Sequence, residues 1–258
     1  MNPITFVSDL HLDVNKNLNL GSHLLEAYEN FPGSLILAGD TCEFRNFDAF
    51  FYPVFNRLFE LNKNIQVFYV AGNHEYYGGS VKEVNKALAD YADKNQRFHF
   101  LNYLDCFTFG SQKNLISIAG SSLWYPDTTD SWLLQNNIND FSQIKEFKPN
   151  SAHQLNKESH EFFSKIYLGR QDFNIWVVHH LPSNQSISSK FKGDRLNCYF
   201  VDPNFEKLIK KRQPDVVIHG HSHTSVNYKV GDTWVLSNPH GYGQENKNFN
   251  WFKHTLWT

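Results

Sequence analysis

Apolar residues fall into short runs along this chain, and most of the runs stop at a polar turn. Residues 4–8 (ITFVS) are β-branched and aromatic and lead into DLHLD, which predicts a buried strand. SLILAGD (34–40), IQVFYVAGNHE (65–75), NIWVVHH (174–180) and DVVIHGHSH (215–223) repeat the pattern. Between them the spacing turns helical. Residues 22–31 read as a helix with Ser22 as its cap, stopped at Pro32-Gly33. Residues 45–61 carry their large apolar side chains on one helical face, with a kink expected at Pro53. Residues 80–94 and 150–168 are helical too, and 202–212 start with Asp202 as cap and Pro203 in the first turn. Short runs between 97 and 120 leave no room for helices and predict a more antiparallel region. Residues 121–148 are irregular, rich in aromatics and amides, and read as a lobe inserted into a single domain spanning 1–258. Residues 181–200 read as a long Ser/Asn/Lys loop.

Strands alternating with helices predict an α/β fold. What stands just after each strand then changes the picture from fold to chemistry. The first is followed by Asp9 and His11, the second by Asp40, the third by Asn73 and His74. The fourth is followed by His179 and the fifth by His221 and His223. Sites in open α/β sheets form outside the carboxyl ends of strands, so these residues are expected to converge. Asp9, His11, Asp40, Asn73, His179, His221 and His223 are more donors than one divalent ion takes from a protein. They suit two ions that share a carboxylate. Nitrogen and oxygen donors without a thiolate suit Mn, Fe, Zn or Ni, with Mn or Fe favoured. Two such ions about 3.5–4 Å apart clamp a phosphoryl group and make water a nucleophile at neutral pH.

DLH (9–11), GD (39–40), GNHE (72–75), the His179 of VVHH and GHSH (220–223) resemble the five signature blocks of the calcineurin-like metallophosphoesterases, in the family's order. The resemblance implies a four-layer αββα sandwich, two mixed sheets flanked by helices, with a dinuclear metal site at the strand ends. It also implies roles: Asp9, His11 and His223 on the first metal, Asp40 as the bridge, and Asn73, His179 and His221 on the second. By the same resemblance His74 is expected to be the histidine that stabilises or protonates the leaving oxygen. His219 is out of phase with His221 and His223 and is expected to be structural. WYPD (124–127), NDF (139–141) and NPHGYGQEN (238–246) resemble a bacterial subgroup of small cytosolic members.

Departures from better-known branches narrow the substrate. Phe44 and Ala71 stand where phosphoprotein phosphatases carry the arginines that grip phosphate, although Glu43 remains as a candidate to orient His74. His74 stands where lipid A pathway pyrophosphatases carry arginine. The expected substrate is a small phosphoester, nucleotides included, with a diester favoured over a monoester because the 121–148 lobe could recognise a second substituent. Trp124, Tyr77, His180 and His240 are the candidate substrate-binding residues, with Tyr76, Tyr125, Trp132 and Tyr242 as further aromatic faces for a base. Lys190, Lys192 and Arg195 are candidate phosphate contacts. The alternative is a non-catalytic scaffold that keeps the fold and binds a partner, which the intact ligand set and His74 argue against.

Composition then removes classes. A net charge of −2 gives no basic groove for duplex nucleic acid. No apolar run reaches membrane-spanning length, and no signal segment is evident at the start. Cys42, Cys106 and Cys198 are odd in number and widely spaced, which predicts reduced thiols and a cytoplasmic protein.

Overall fold

The computed structural model describes residues 3–103, 106–111, 114–166, 173–243 and 245–257. In chain order the first half holds β1 (Pro3–Val7), α1 (Leu20–Tyr28), β2 (Ser34–Ala38), α2 (Tyr52–Leu61), β3 (Gln66–Val70), α3 (Val81–Lys94), β4 (Phe98–Phe100), β5 (Phe107–Ser111) and β6 (Asn114–Ser121). The second half holds α4 (Thr129–Leu133), α5 (Asp140–Gln143), α6 (Pro149–Lys165), β7 (Phe173–Val178), α7 (Phe205–Arg212), β8 (Val216–Ile218), β9 (Val226–Val230), β10 (Thr233–Ser237) and β11 (Thr255–Trp257). Among the described residues no helix is long and apolar enough to cross a membrane.

Two mixed sheets result. One has the order β11-β1-β2-β3-β4, parallel except for β11; the other has the order β5-β6-β7-β8-β10-β9, parallel except for β5 and β9. The strands are apolar on both faces because both faces are covered. Ile4, Phe6, Ile36, Ala38, Phe68 and Val70 face Ile118, Ile175, Val177, Val216 and Ile218 between the sheets. The alternate residues Leu35, Leu37, Val67 and Tyr69 face outward onto Leu24 and Tyr28 of α1, Phe55 and Leu58 of α2, and Val84 and Leu88 of α3. On the other side Trp176, Val178 and Val217 meet Phe163 of α6 and Phe205 and Ile209 of α7. This is the four-layer arrangement the sequence motifs imply.

Element boundaries differ from the sequence reading at four places. Helix α1 starts two residues before Ser22, which lies inside it; Asn19, with a left-handed φ of 51°, precedes the helix. Pro53 enters at the first turn of α2 and does not kink its middle. Before it, residues 47–51 wind as a π-helix, and the Tyr52 amide reaches back to the Phe47 carbonyl. Helix α7 begins at Phe205, and Asp202 is fully buried, accepting from Asn156 at 2.7 Å and bonded to His160 at 2.6 Å. The 97–120 region divides: β4 joins the first sheet in parallel, and only β5 and β6 form an antiparallel pair.

The 121–148 segment is anchored by aromatic packing. Leu123 and Trp124 both adopt left-handed backbone (φ 68° and 57°), and Trp124 is 1% exposed. It packs on Tyr76, Tyr125, Phe147 and His180. Trp124, expected to stack on substrate, is therefore a core residue with no face free. Trp124→Ala is expected to cost about 3–5 kcal/mol of stability, read by denaturant unfolding.

Candidate metal centre

The loops that follow β1, β2, β3, β7 and β8 meet at one edge of the sandwich. Here the sheets are tied by backbone contacts: the Ser8 amide to the Asn238 carbonyl, the His240 amide back to the Ser8 carbonyl, and the Gly241 amide to the Asp9 carbonyl. Asp9, His11, Asp40, His221 and His223 all have positive φ, between 43° and 71°. Asp and His tolerate this region better than most side chains, and such residues cluster where a site needs sharp turns. The turns are pinned from behind by Glu75, which is fully buried. Its carboxylate accepts from the amides of Asp40 (2.8 Å), Thr41 (2.6 Å) and Gly72 (2.6 Å) and from the Tyr69 hydroxyl (2.7 Å).

Their side chains form two groups. Asp9, His11, Asp40 and His223 offer donor atoms within 4.8 Å of one another, as do Asp40, His179 and His221, so Asp40 belongs to both. In the first, His11 Nε2 lies 3.1 Å from His223 Nε2 and 3.8 Å from Asp40 Oδ2, and His223 Nε2 lies 3.6 Å from Asp9 Oδ1. In the second, His179 Nε2 is 3.3 Å from Asp40 Oδ1. Asn73 Oδ1 is 3.3 Å from His179 Nε2 and 3.1 Å from His221 Nδ1. Burial holds His11 and His221 well below the usual histidine range. Burial alone would raise Asp40, but His179, His74 and His11 outweigh it and hold the carboxylate well below its ordinary value. Burial alone would lower His179, but Asp40 outweighs it and raises it to about 9, a proton that a bound divalent ion would displace; His11 and His221 are already neutral donors beside an ionised carboxylate. Gly72 leaves the room: a Cβ there would lie 2.2 Å from Asp40 Oδ1 and 2.6 Å from His179 Cε1.

Outer contacts aim several of these donors. His179 Nδ1 donates to the Ala38 carbonyl at 2.8 Å, which turns Nε2 inward. His223 Nδ1 lies 2.7 Å from Glu245. Asp140, buried at the start of α5, accepts from Asn73 Nδ2 at 2.8 Å and from the Tyr77 hydroxyl at 2.7 Å. A carboxylate can only accept, so it fixes the Asn73 amide with its oxygen toward His179 and His221. Sequence reading missed Glu75, Asp140 and Glu245 in these roles. Glu75 was in view as the last letter of GNHE, and Asp140 as the middle of NDF.

His74 lies at the open side. Its Nε2 shares a 3.1 Å hydrogen bond with the Tyr242 hydroxyl, and its ring lies 4.6 Å from His11 and 4.3 Å from Tyr77. Glu43 Oε1 is 4.0 Å from His74 Nδ1, beyond hydrogen-bond reach, and its other oxygen pairs with Arg45 at 2.9 Å. Beyond His74 and Tyr77 a hollow of about 430 Å³ runs out from the centre between residues 137–140 and the 187–200 loop. Tyr77 and Tyr242 line it. The structure corrects two further expected contacts. His180 is fully buried, its Nδ1 on the Ser122 carbonyl and its ring 4.3 Å from that of His221, so it backs a donor and does not face the hollow. His240 is turned inward, with Nδ1 on the Gly241 carbonyl and its ring against Phe249. Tyr125 is buried too, Lys190 and Lys192 are exposed, and Arg195 pairs with Asp130. His219 is buried and bonded to Ser186 at 2.8 Å.

Residues 2–225 match the profile of the calcineurin-like phosphoesterases. The uncharacterized protein L509 of Acanthamoeba polyphaga mimivirus is 27% identical over 276 residues, covering 97% of this chain and 95% of its own. Among solved structures, the phosphopantetheinyl hydrolase PptH of Mycobacterium tuberculosis superposes with a TM-score of 0.73 at 13% identity, over 97% of this chain and 94% of that one. A dimetal phosphatase from Danio rerio superposes with a TM-score of 0.54 at 12% identity, over 92% and 86% of the two chains. At these identities the structural likeness speaks for the fold.

The Asp140–Asn73 contact is open to test. An asparagine at 140 can satisfy either orientation of the Asn73 amide. Asp140→Asn is expected to weaken binding of one metal equivalent by about 10–100-fold, measured calorimetrically, with the far-ultraviolet dichroism unchanged.

Proposed function

We propose that this chain, which belongs to the calcineurin-like phosphoesterase family, hydrolyses a small phosphodiester with two divalent metal ions. The observation that carries the reading is the membership of Asp40 in both donor groups. In this assignment Asp9, His11, Asp40 and His223 hold one ion, and Asp40, Asn73, His179 and His221 hold the other. Bound there, divalent ions supply Lewis-acid activation of the phosphoryl group and of the attacking water. Oxygen and imidazole donors favour Mn or Fe among the metals that fit.

The remaining work falls to the protein. His74 Nε2 stands at the mouth of the hollow and is the group placed to steady or protonate the departing oxygen. Glu43 is assigned to orient His74 from Nδ1, the 4.0 Å gap tightening when substrate is bound. Tyr242, from the loop after β10, covers His11 and His223 with ring distances of 4.5 and 4.7 Å and limits water at the centre. A diester is preferred to a monoester because the hollow of about 430 Å³ offers room for a second substituent. The name of the Mycobacterium tuberculosis neighbour adds phosphopantetheinyl esters to the substrates worth assaying.

The test is hydrolysis of bis-p-nitrophenyl phosphate beside p-nitrophenyl phosphate with Mn, Fe, Zn and Ni. Diester turnover is expected to vanish with chelator, to return with metal, and to fall about 10²–10⁴-fold in His74→Ala. Turnover indifferent to chelator would overturn the metal assignment, and turnover of the monoester alone would make the enzyme a phosphatase.

A further inference from the structure

The hollow beside the centre has a chemical character of its own. Ile138, Ile187, Leu196 and Phe200 form apolar walls, and Asn139 and Ser222 add polar handles. Among the described residues no hydrogen bond engages the Asn139 side chain, and Ser222 Oγ is buried without a partner there. No lysine or arginine is among the described residues that line the space, whereas Asp140, Asp194 and Glu245 all are. Among the described residues no lysine or arginine hydrogen-bonds these carboxyl groups, and the one such side chain whose charge acts on them is Lys190, which helps lower Glu245. Asp140 accepts from Asn73 and Tyr77, Asp194 from the Leu196 amide, and Glu245 from the Tyr242 amide and His223. Of the nearby cations, Arg195 is committed to Asp130 and Arg45 to Glu43 and Gln143, while the exposed Lys190 lies over the Phe191 ring, outside the lining itself. Lys247 and Lys253 line a different hollow on the far side of His223 and Glu245.

We propose that this hollow is the subsite for the second arm of the phosphodiester, and that it selects an arm without any further anionic group. The proposal rests on the hydrolase reading above and deepens it. An uncharged arm of mixed character gains the apolar walls and the free amide of Asn139. An arm with a second phosphate would bring its charge against Asp194 and Glu245, with no lysine or arginine in the lining itself and Lys190 beside it already acting on Glu245. Charges 5–10 Å apart near a protein surface interact strongly enough to shift recognition by roughly tenfold. Salt would weaken that effect, because Asp194 and Glu245 are on the exposed rim. Substrates with one phosphate between two neutral groups are therefore favoured over nucleoside polyphosphates and bisphosphates.

Three esters with one leaving group separate the possibilities: bis-p-nitrophenyl phosphate, the p-nitrophenyl ester of thymidine 5′-monophosphate, and its 3′-phosphorylated counterpart. With metal-loaded full-length protein at low salt, the thymidine ester is expected to exceed the 3′-phosphorylated ester in kcat/KM by about tenfold or more. Raising the salt to about 0.5 M should narrow that ratio, which a purely steric exclusion would not do. Asp194→Lys should narrow or reverse it, and Asp194→Asn, which keeps the turn acceptor for Leu196, should move it the same way by less. If the first two esters are hydrolysed and the added phosphate costs nothing at low salt, the subsite proposal is overturned while the hydrolase reading stands. If no ester is hydrolysed in the presence of any of the four metals, the hydrolase reading falls and takes the subsite with it.

Discussion

Asp40 is 2% exposed, carries a negative charge, and faces three imidazoles from three other loops. A buried charge is tolerable only where partners surround it. The neighbourhood is built to that requirement. The Asp40 amide is held by Glu75, one carboxylate oxygen accepts from the His74 amide at 2.9 Å, and Gly72 keeps a side chain out of the space beside it. His179 is fixed by the Ala38 carbonyl, only two residues before Asp40. Shifting this one carboxylate would disturb both donor groups together.

The sandwich exists, for function, to bring strand ends from two sheets to that point. Asp9, Asp40 and Asn73 come from the first sheet, and His179, His221 and His223 from the second. The inner apolar layer presses the sheets together, and the Ser8–Pro239 bridge joins their edges next to the centre. The C-terminal loop then closes over the top. Glu245 bonds His223, and Tyr242 bonds His74, so one loop touches a member of the first donor group and the histidine at its open side at once. On the opposite side the inserted 121–148 segment and the 181–200 loop face one another across the hollow.

Much of this was legible in the residues. Period-two alternation of Ile36 and Ala38 against Leu35 and Leu37 marks a strand buried on both faces, and polar residues at five strand ends mark a common site. Those signals are local, and each is repeated. Capping residues and single aromatics are not. Ser22 and Asp202 are good cap types, but Asn19 can adopt the left-handed turn before α1, and Asp202 is drawn into the core by His160 and Asn156. Nothing local in WYPD says that two consecutive left-handed residues swing Trp124 inward, or that His240 turns against Phe249.

The sequence by itself therefore determined the layer order, the family and the convergence of metal-binding side chains at the strand ends, because spacing and donor type suffice for those. Tertiary structure alone decided which second residues aim the donors, since Asp140 lies 67 positions from Asn73 and Glu245 lies 22 from His223. It alone also decided the charge of the wall of the hollow. That wall is assembled from segments with no sequence relation to one another, and its potential depends on which of their charges are already paired at the surface.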